Sequence, residues 1–247
     1  MVVAANAPVV AVLTRAPSAG GKSRLFAALG RPADPALLAA LLLDTLEGAA
    51  VPGVRRIVAV TPGTACAEVR EIVRDVASGV PDVASGVPDV AYGLSRKLLL
   101  HVDVIAQPDG DLGERMQATM AAVIAHGAPA VALIGSDLPH IPPGAIAEAF
   151  ALVAQDRDAL VLGPAADGGY YLIAARRVPD VFAGIEWGSA QVLAQTERAA
   201  AADGFRVRRL ATLADVDGIE DLRRALQSGR ATRTVLWARA HAPYLLR

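Results

Sequence analysis

A chain of 247 residues, 53% hydrophobic and 20% charged, has ample material for a sizeable core and does not have the composition of a disordered polymer. A net charge of -1 and a pI near 6.4 exclude the broad basic face of a general nucleic-acid binder, and no apolar run approaches the ~20 residues that a spanning helix needs. The single cysteine, Cys66, excludes an intrachain disulfide and a cysteine-based zinc site and is expected to be a small buried apolar residue; with no signal-peptide charge order at the N-terminus, the expected compartment is the cytoplasm.

Along the chain, short apolar β-branched runs alternate with longer segments of helical composition. Strands are expected at residues 9–14, 55–60, 102–106, 130–134, 159–162, 170–174 and 206–210, with helices at 35–49, 112–126, 144–155 and 189–202 among them. This alternation predicts an α/β fold with a mostly parallel sheet covered on both faces. The unbroken apolar run Ala130-Val131-Ala132-Leu133-Ile134 suits a strand buried on both sides. No stretch is rich enough in Gly, Pro or Ser to act as a linker, so a single domain over residues 1–247 is expected. In open parallel sheets, ligands bind beyond the carboxyl ends of the strands, so motifs that carry chemistry should follow strands directly.

After the first strand comes Arg15-Ala16-Pro17-Ser18-Ala19-Gly20-Gly21-Lys22-Ser23-Arg24-Leu25. A glycine-rich loop entering a helix offers free backbone N–H groups to a phosphate, and the helix dipole adds to the attraction. Arg15, Lys22 and Arg24 supply positive charge, and Lys22 is one of only two lysines in the chain, with Lys97. Phosphate contact is therefore expected of Arg15, Gly20, Gly21 and Lys22, against the plainer alternative of a βα turn with solvated basic residues. The loop also approaches the P-loop pattern, but Ala16 stands where its first glycine belongs and Pro17 stiffens the turn.

Residues 75–81, Asp-Val-Ala-Ser-Gly-Val-Pro, recur letter for letter at 82–88. Two copies are too few for a solenoid, and the Gly, Pro and Ser predict a duplicated surface loop that no helix runs through. Further on, Gln107-Pro108-Asp109-Gly110-Asp111-Leu112-Gly113-Glu114 follows the third strand. Asp111 is placed to cap the next helix, and Gln107 and Gly113 are candidates for nucleobase contact.

Three acidic turns follow later strands. Gly135-Ser136-Asp137-Leu138-Pro139-His140 sets Asp137 directly after a buried strand, where a carboxylate can ligate Mg²⁺ or Mn²⁺ together with substrate phosphate oxygens. The plain alternative is a turn aspartate bonding its own backbone; His140 is read as a packing residue. Asp167-Gly168-Gly169-Tyr170 lets backbone come close to a ligand or serves as a glycine turn. Asp217 with Glu220 forms a capping-box-like start for the final helices.

Taken in order, A-P-S-A-G-G-K-S-R-L, D-L-G-E-R-M, I-G-S-D-L-P, G-P-A-A-D-G-G-Y-Y-L-I, I-E-W-G-S-A-Q-V-L-A-Q-T and D-V-D-G-I-E-D-L resemble the DUF2064 family, also called selenodomain-associated transferase 1, of the GT-A superfamily. The matching stretches span residues 16–222. The chain departs from the family's usual pattern in a first loop one residue shorter, in Gly218 where Thr is common, and in Trp187-Gly188-Ser189 where Trp-Ser-Thr is usual. The resemblance implies a GT-A fold like that of the nucleotide-diphospho-sugar transferases, a three-layer α/β/α sandwich. It implies that the first loop and residues 107–113 embrace a nucleotide, that Asp137 and Asp217 hold the metal, and that Asp167, Gly168, Gly169 and Tyr170 face a sugar or acceptor.

Two enzymatic readings follow from it. A glycosyltransferase would use Mg²⁺ or Mn²⁺ on Asp137 to neutralise the leaving diphosphate of a nucleotide sugar. A nucleotidyltransferase resembling the guanylyltransferases of phospholactate-type acids would release pyrophosphate, with Lys22 and Arg24 stabilising the transferred phosphate. Either takes a nucleotide and a small-molecule acceptor as partners, not a nucleic acid. A nucleotide-binding regulatory module that turns over neither is the third.

Overall fold

The runs of Val, Ala, Leu and Ile pair into one seven-stranded sheet in a computed structural model that describes residues 6–78 and 101–247. The strands are β1 (Val9–Arg15), β2 (Arg55–Thr61), β3 (Val102–Ala106), β4 (Val131–Gly135), β5 (Ala159–Pro164), β6 (Tyr170–Ala175) and β7 (Arg206–Arg209). Their order is β3-β2-β1-β4-β6-β5-β7, and only β6 runs antiparallel to its neighbours. The next two strands, β2 and β3, are laid out to one side of β1, after which the chain crosses back and sets β4 on the other side. The switch point between β1 and β4 is where such sheets leave a crevice beyond the strand ends.

The inner strands β1, β2, β4, β5 and β6 are apolar on both faces because helices cover both, whereas the edge strands β3 and β7 are more exposed. Val10 and Val12 of β1, with Ala132 and Ile134 of β4, pack on one side against α2 (Pro35–Gly48), α3 (Cys66–Ser78) and α5 (Pro143–Gln155). Val9 and Ala11, with Val131 and Leu133, face the other way onto α4 (Leu112–Ala125) and α6 (Val192–Ala202). The alternation along each strand follows from the two-residue period of the pleat. Cys66 is buried and free in the first of these layers, as its chemistry predicted.

A third, smaller cluster lies beside the sandwich. Leu25 and Phe26 of α1 (Ser23–Ala28) and Leu37 and Leu41 of α2 meet Val216, Leu222 and Leu226 around α7 (Ile219–Gln227) and Trp237 of α8 (Thr232–His241). Full burial of such a leucine is worth about 1.5–3 kcal/mol. The cluster therefore fixes α1, which opens directly after Lys22, against α7, which opens directly after Gly218.

The duplicated segment is only partly within view. Helix α3 takes in its first four residues and stops at Ser78, directly before Gly79, and the rest of the repeat lies outside the described residues. Among the described residues, no helix is long and apolar enough to cross a membrane.

Candidate functional site

The loop after β1 is built on an unusual backbone. Gly20, Gly21 and Lys22 have φ values of 69°, 138° and 51° in succession. The first two suit glycine, which has no Cβ to clash. Lys22 holds the left-handed conformation without that freedom, a local strain that the surrounding packing must maintain.

The turn after β4 is fixed from three sides. A Cβ at Gly135 would lie 2.6 Å from Asp137 Oδ1, so glycine is what lets this carboxylate fold back over the strand end. Buried Thr45 of α2 accepts a hydrogen bond from Leu138 N–H at 3.1 Å, and its hydroxyl lies 3.2 Å from Ser136 O and 2.8 Å from Leu41 O. From the C-terminal loop, Val216 N–H donates to Asp137 O at 3.0 Å, which brings the residues on either side of Val216 up to the same turn.

Three carboxylates converge as a result. Oxygens of Asp137, Asp215 and Asp217 lie within 4.8 Å of one another. Lys22 Nζ donates to Asp137 Oδ2 and, at 2.5 Å, to Asp217 Oδ1, while Arg24 Nη2 reaches Asp217 Oδ2 at 3.1 Å. Burial works against the charge on Lys22, but Asp137 and Asp217 outweigh it and hold the ammonium protonated well above its ordinary range. Asp215 is pushed up to about 6 by burial and then by the charges of Asp137 and Asp217, with Lys22 pulling the other way. A crowded set of three carboxylates is a donor set of the kind that a hard divalent cation takes.

The cap read at Asp217 and Glu220 falls elsewhere. Asp221 accepts from Gly218 N–H at 2.7 Å and from Asp217 N–H at 3.2 Å, which satisfies the start of α7. The Asp217 carboxylate is thereby released to face Lys22 and Arg24.

Two clefts meet over this cluster. One, of about 280 Å³, is lined by Thr14, Arg15, Gly20, Gly21, Lys22 and Ser136, among others. The second, of about 250 Å³, is lined by Met116, Asp167, Tyr170, Trp187, Ser189 and Asp215, among others. Gly135 and Asp137 belong to both. The first cleft is cationic and glycine-rich; the second carries three carboxylates, with Asp137, and no Lys, Arg or His. A larger cavity of about 840 Å³ lies beside β3 and includes none of the residues named so far as candidates.

The turn beside the second cleft explains its glycines, of which Gly169 lines the cleft and Gly168 does not. Gly168 has φ 93°, and a Cβ there would come 2.3 Å from Ala190 O. Asp167 Oδ1 accepts from Gly169 N–H at 2.9 Å, closing the turn between β5 and β6. The Tyr170 ring stands edge-on to Trp187 with centroids 6.4 Å apart, and burial pushes its hydroxyl pKa up, Thr196 opposing.

Not every residue singled out in the sequence reaches the clefts. Gln107 is buried, and its Nε2 donates to Ala59 O at 2.6 Å and to Thr14 O at 3.1 Å, strapping β2 to β1. Gly113 gives room to Trp187, whose Nε1 would lie 3.0 Å from a Cβ there. Neither lines the two clefts. Asp111 caps α4 in a reciprocal box with Glu114, as its position predicted. His140 stays outside the clefts, and burial lowers its pKa. Asp215 and Trp187 were missed as site residues: Asp215 reads as one more turn acid beside Asp217, and Trp187 as an isolated aromatic.

A seven-stranded, mostly parallel sheet between helix layers, with an acidic crevice at its switch point, defines a protein with the fold of the nucleotide-diphospho-sugar transferases. The chain belongs to the DUF2064 family, described as uncharacterised proteins conserved in bacteria, whose model matches residues 49–189. It is similar to the crystal structure of a protein from Desulfovibrio desulfuricans G20, provisionally named a nucleotide-diphospho-sugar transferase. That similarity is 28% in identity with a TM-score of 0.69, over 97% of this chain and 94% of that one. A homolog of Rv0371c from Mycobacterium sp. strain JC1 shares the fold at 22% identity and a TM-score of 0.50, over 92% of this chain and 97% of that one. No curated protein matches the chain.

Proposed function

We propose that this chain is a divalent-metal-dependent transferase acting on a nucleotide-linked substrate, in the manner of a glycosyltransferase that takes a nucleotide sugar. The transferase class is supported by the Desulfovibrio desulfuricans relative and its name. The observation that carries the reading is the meeting of two unlike clefts at Asp137. Arg15, Lys22 and the glycine backbone of the first cleft suit the diphosphate of a nucleotide, since charge-assisted bonds to phosphate oxygens are strong and the α1 first turn adds N–H groups without helical partners. Asp137, Asp215 and Asp217 would hold Mg²⁺ or Mn²⁺, which supplies neutralisation of the charge gathering on the leaving diphosphate.

The second cleft favours a sugar over a phosphorylated acid. Its aromatic wall of Tyr170 and Trp187 suits the apolar face of a sugar ring, and Asp167 is placed to accept hydrogen bonds from hydroxyls. An anionic acceptor entering there would meet carboxylates and no basic side chain. The partners of this chain are then a nucleotide sugar and a small-molecule acceptor.

Calorimetry with nucleoside diphosphates and nucleotide sugars, in Mn²⁺ and in EDTA, tests the reading. Wild-type protein is expected to bind in Mn²⁺ only, and Asp137→Asn to lose at least tenfold in affinity. Unchanged binding in both EDTA and the variant sinks the metal site. Pyrophosphate release from an NTP and a phosphorylated acid, without turnover of any nucleotide sugar, hands the reaction to the nucleotidyltransferase reading.

A further inference from the structure

The ammonium of Lys22 occupies the place that a divalent ion needs. Its Nζ touches one oxygen of Asp137 and one of Asp217, and its side chain is only 16% exposed. Arg24 cannot take over this position, because it meets the other Asp217 oxygen from solvent with its side chain 82% exposed. We propose that Lys22 is an exchangeable internal counter-ion: it closes the carboxylate cluster to free divalent cations and moves to phosphate when a cation arrives with a nucleotide. The protein then takes up the metal–diphosphate complex rather than the bare metal. This rests on the proposed nucleotide and metal reading of the same site.

The physical case has three parts. An ammonium and a dication cannot share the same two carboxylate oxygens without strong like-charge repulsion at close range. Lys22 and Asp137 both line the cationic cleft, so diphosphate oxygens there would give the ammonium a new anionic partner within reach of its flexible four-carbon stem. Once the ammonium has moved, both aspartate oxygens become available to the ion. Metal and diphosphate must therefore strengthen each other's binding by the same factor, because coupling between two ligands is reciprocal.

Manganese resonance spectroscopy reads this directly, since bound Mn²⁺ loses the sharp signal of the free ion. Metal-free wild-type protein is titrated with Mn²⁺ alone and with inorganic pyrophosphate, a diphosphate probe that needs no choice of base, and the Mn²⁺ complexed by free pyrophosphate is subtracted from a protein-free titration. Wild type is expected to bind Mn²⁺ at least tenfold more tightly when pyrophosphate is present. Lys22→Met and Lys22→Gln are expected to bind Mn²⁺ alone at least tenfold more tightly than wild type, and pyrophosphate more weakly. Two substituents guard against one that fails to fold, and the wild-type coupling needs no variant at all. Tight Mn²⁺ binding by wild type without pyrophosphate, equal in the Lys22 variants, overturns the counter-ion role and leaves the metal site standing. Mn²⁺ bound by none of the proteins, with or without pyrophosphate, overturns the metal reading itself.

Discussion

Helix α2 carries two adjacent polar residues that serve different ends, and they contrast two ways of burying charge. Asp44 is fully buried and accepts from Arg233 N–H at 3.0 Å, Thr234 N–H at 2.8 Å, the Thr234 hydroxyl at 2.7 Å and Arg233 Nη1 at 3.4 Å. Two of these are backbone N–H groups of the first turn of α8, whose own N-cap residue, Ala231, offers no side-chain bond. A carboxylate from another helix thus caps α8, where the dipole favours negative charge. Thr45, one residue on, holds the turn of Asp137 instead. At that turn Asp137 and Asp217 share Lys22, Asp215 lies beside them, and the three carboxylates remain partly open to solvent. Charge met by backbone donors is fixed and belongs to the fold. Charge met by one flexible side chain can change partners, and that is what a ligand site requires.

The largest effect expected from this contrast is at Asp44. Asp44→Ala leaves Arg233 paired with Glu47, at 2.7 Å, and strips the α8 N–H groups of their acceptor. Removing one partner of a buried pair costs about 3–5 kcal/mol, and Glu47 places the loss near the lower end. Urea denaturation should show about 3 kcal/mol less stability, with Mn²⁺ affinity of the folded protein within twofold of wild type. A variant as stable as wild type would show that α8 does not depend on this cap.

Gly135→Ala sharpens the other side of the comparison. The added Cβ would meet Asp137 Oδ1 at 2.6 Å, and the carboxylate can turn aside at the expense of its bond from Lys22, a partly exposed contact that contributes little to the fold. Melting temperature should therefore hardly move, while Mn²⁺-dependent diphosphate affinity falls about tenfold, or about 1.4 kcal/mol. A large loss of stability with intact affinity would mean that the glycine serves the strand and not the site.

The difference also explains what could be read from the residues alone. All seven strands were legible to within a residue or two: the inner ones because strands buried on both faces write themselves as unbroken apolar runs, and the exposed edge strands β3 and β7 from their place between helical segments. Asp137 and Lys22 could be singled out as candidates because each follows such a strand in a loop of unusual composition, and the two side chains do meet. The approach of Asp217 to Asp137 came from family resemblance, since it depends on the bond from Val216 to Asp137 across the fold. Asp215 was passed over because two aspartates in Asp215-Val216-Asp217 look alike until Val216 is seen buried with both flanking residues turned to the site. Gln107 reads as a candidate for nucleobase contact and is found bonding the backbones of β1 and β2, because a polar side chain at a strand end has the same sequence signature in either role. Asp44 was invisible inside a leucine-rich helix, its partners lying 189 and 190 residues away.

The smallest expected effect separates the two kinds of charge most cleanly, because its sign should reverse. Asp215 is raised to about 6 by burial and by Asp137 and Asp217, against the ordinary 3.8 that it regains on unfolding. Between these values the folded protein binds more protons than the unfolded chain, so wild-type stability falls as pH rises through that window. Above pH 6 the penalty is complete. A shift of this size corresponds to about 3 kcal/mol without screening, and partial exposure reduces it to about 1 kcal/mol. In EDTA, Asp215→Asn should therefore be more stable than wild type by about 1 kcal/mol at pH 7.5 and equal to it near pH 4. In saturating Mn²⁺ and pyrophosphate the order should invert, because wild type then gains a ligand oxygen where the variant offers only an amide, and ligand binding stabilises the folded state. Melting curves in the two buffers check both signs. An Asp215→Asn protein less stable than wild type in EDTA would show that Asp215 is satisfied like Asp44, and belongs to the fold.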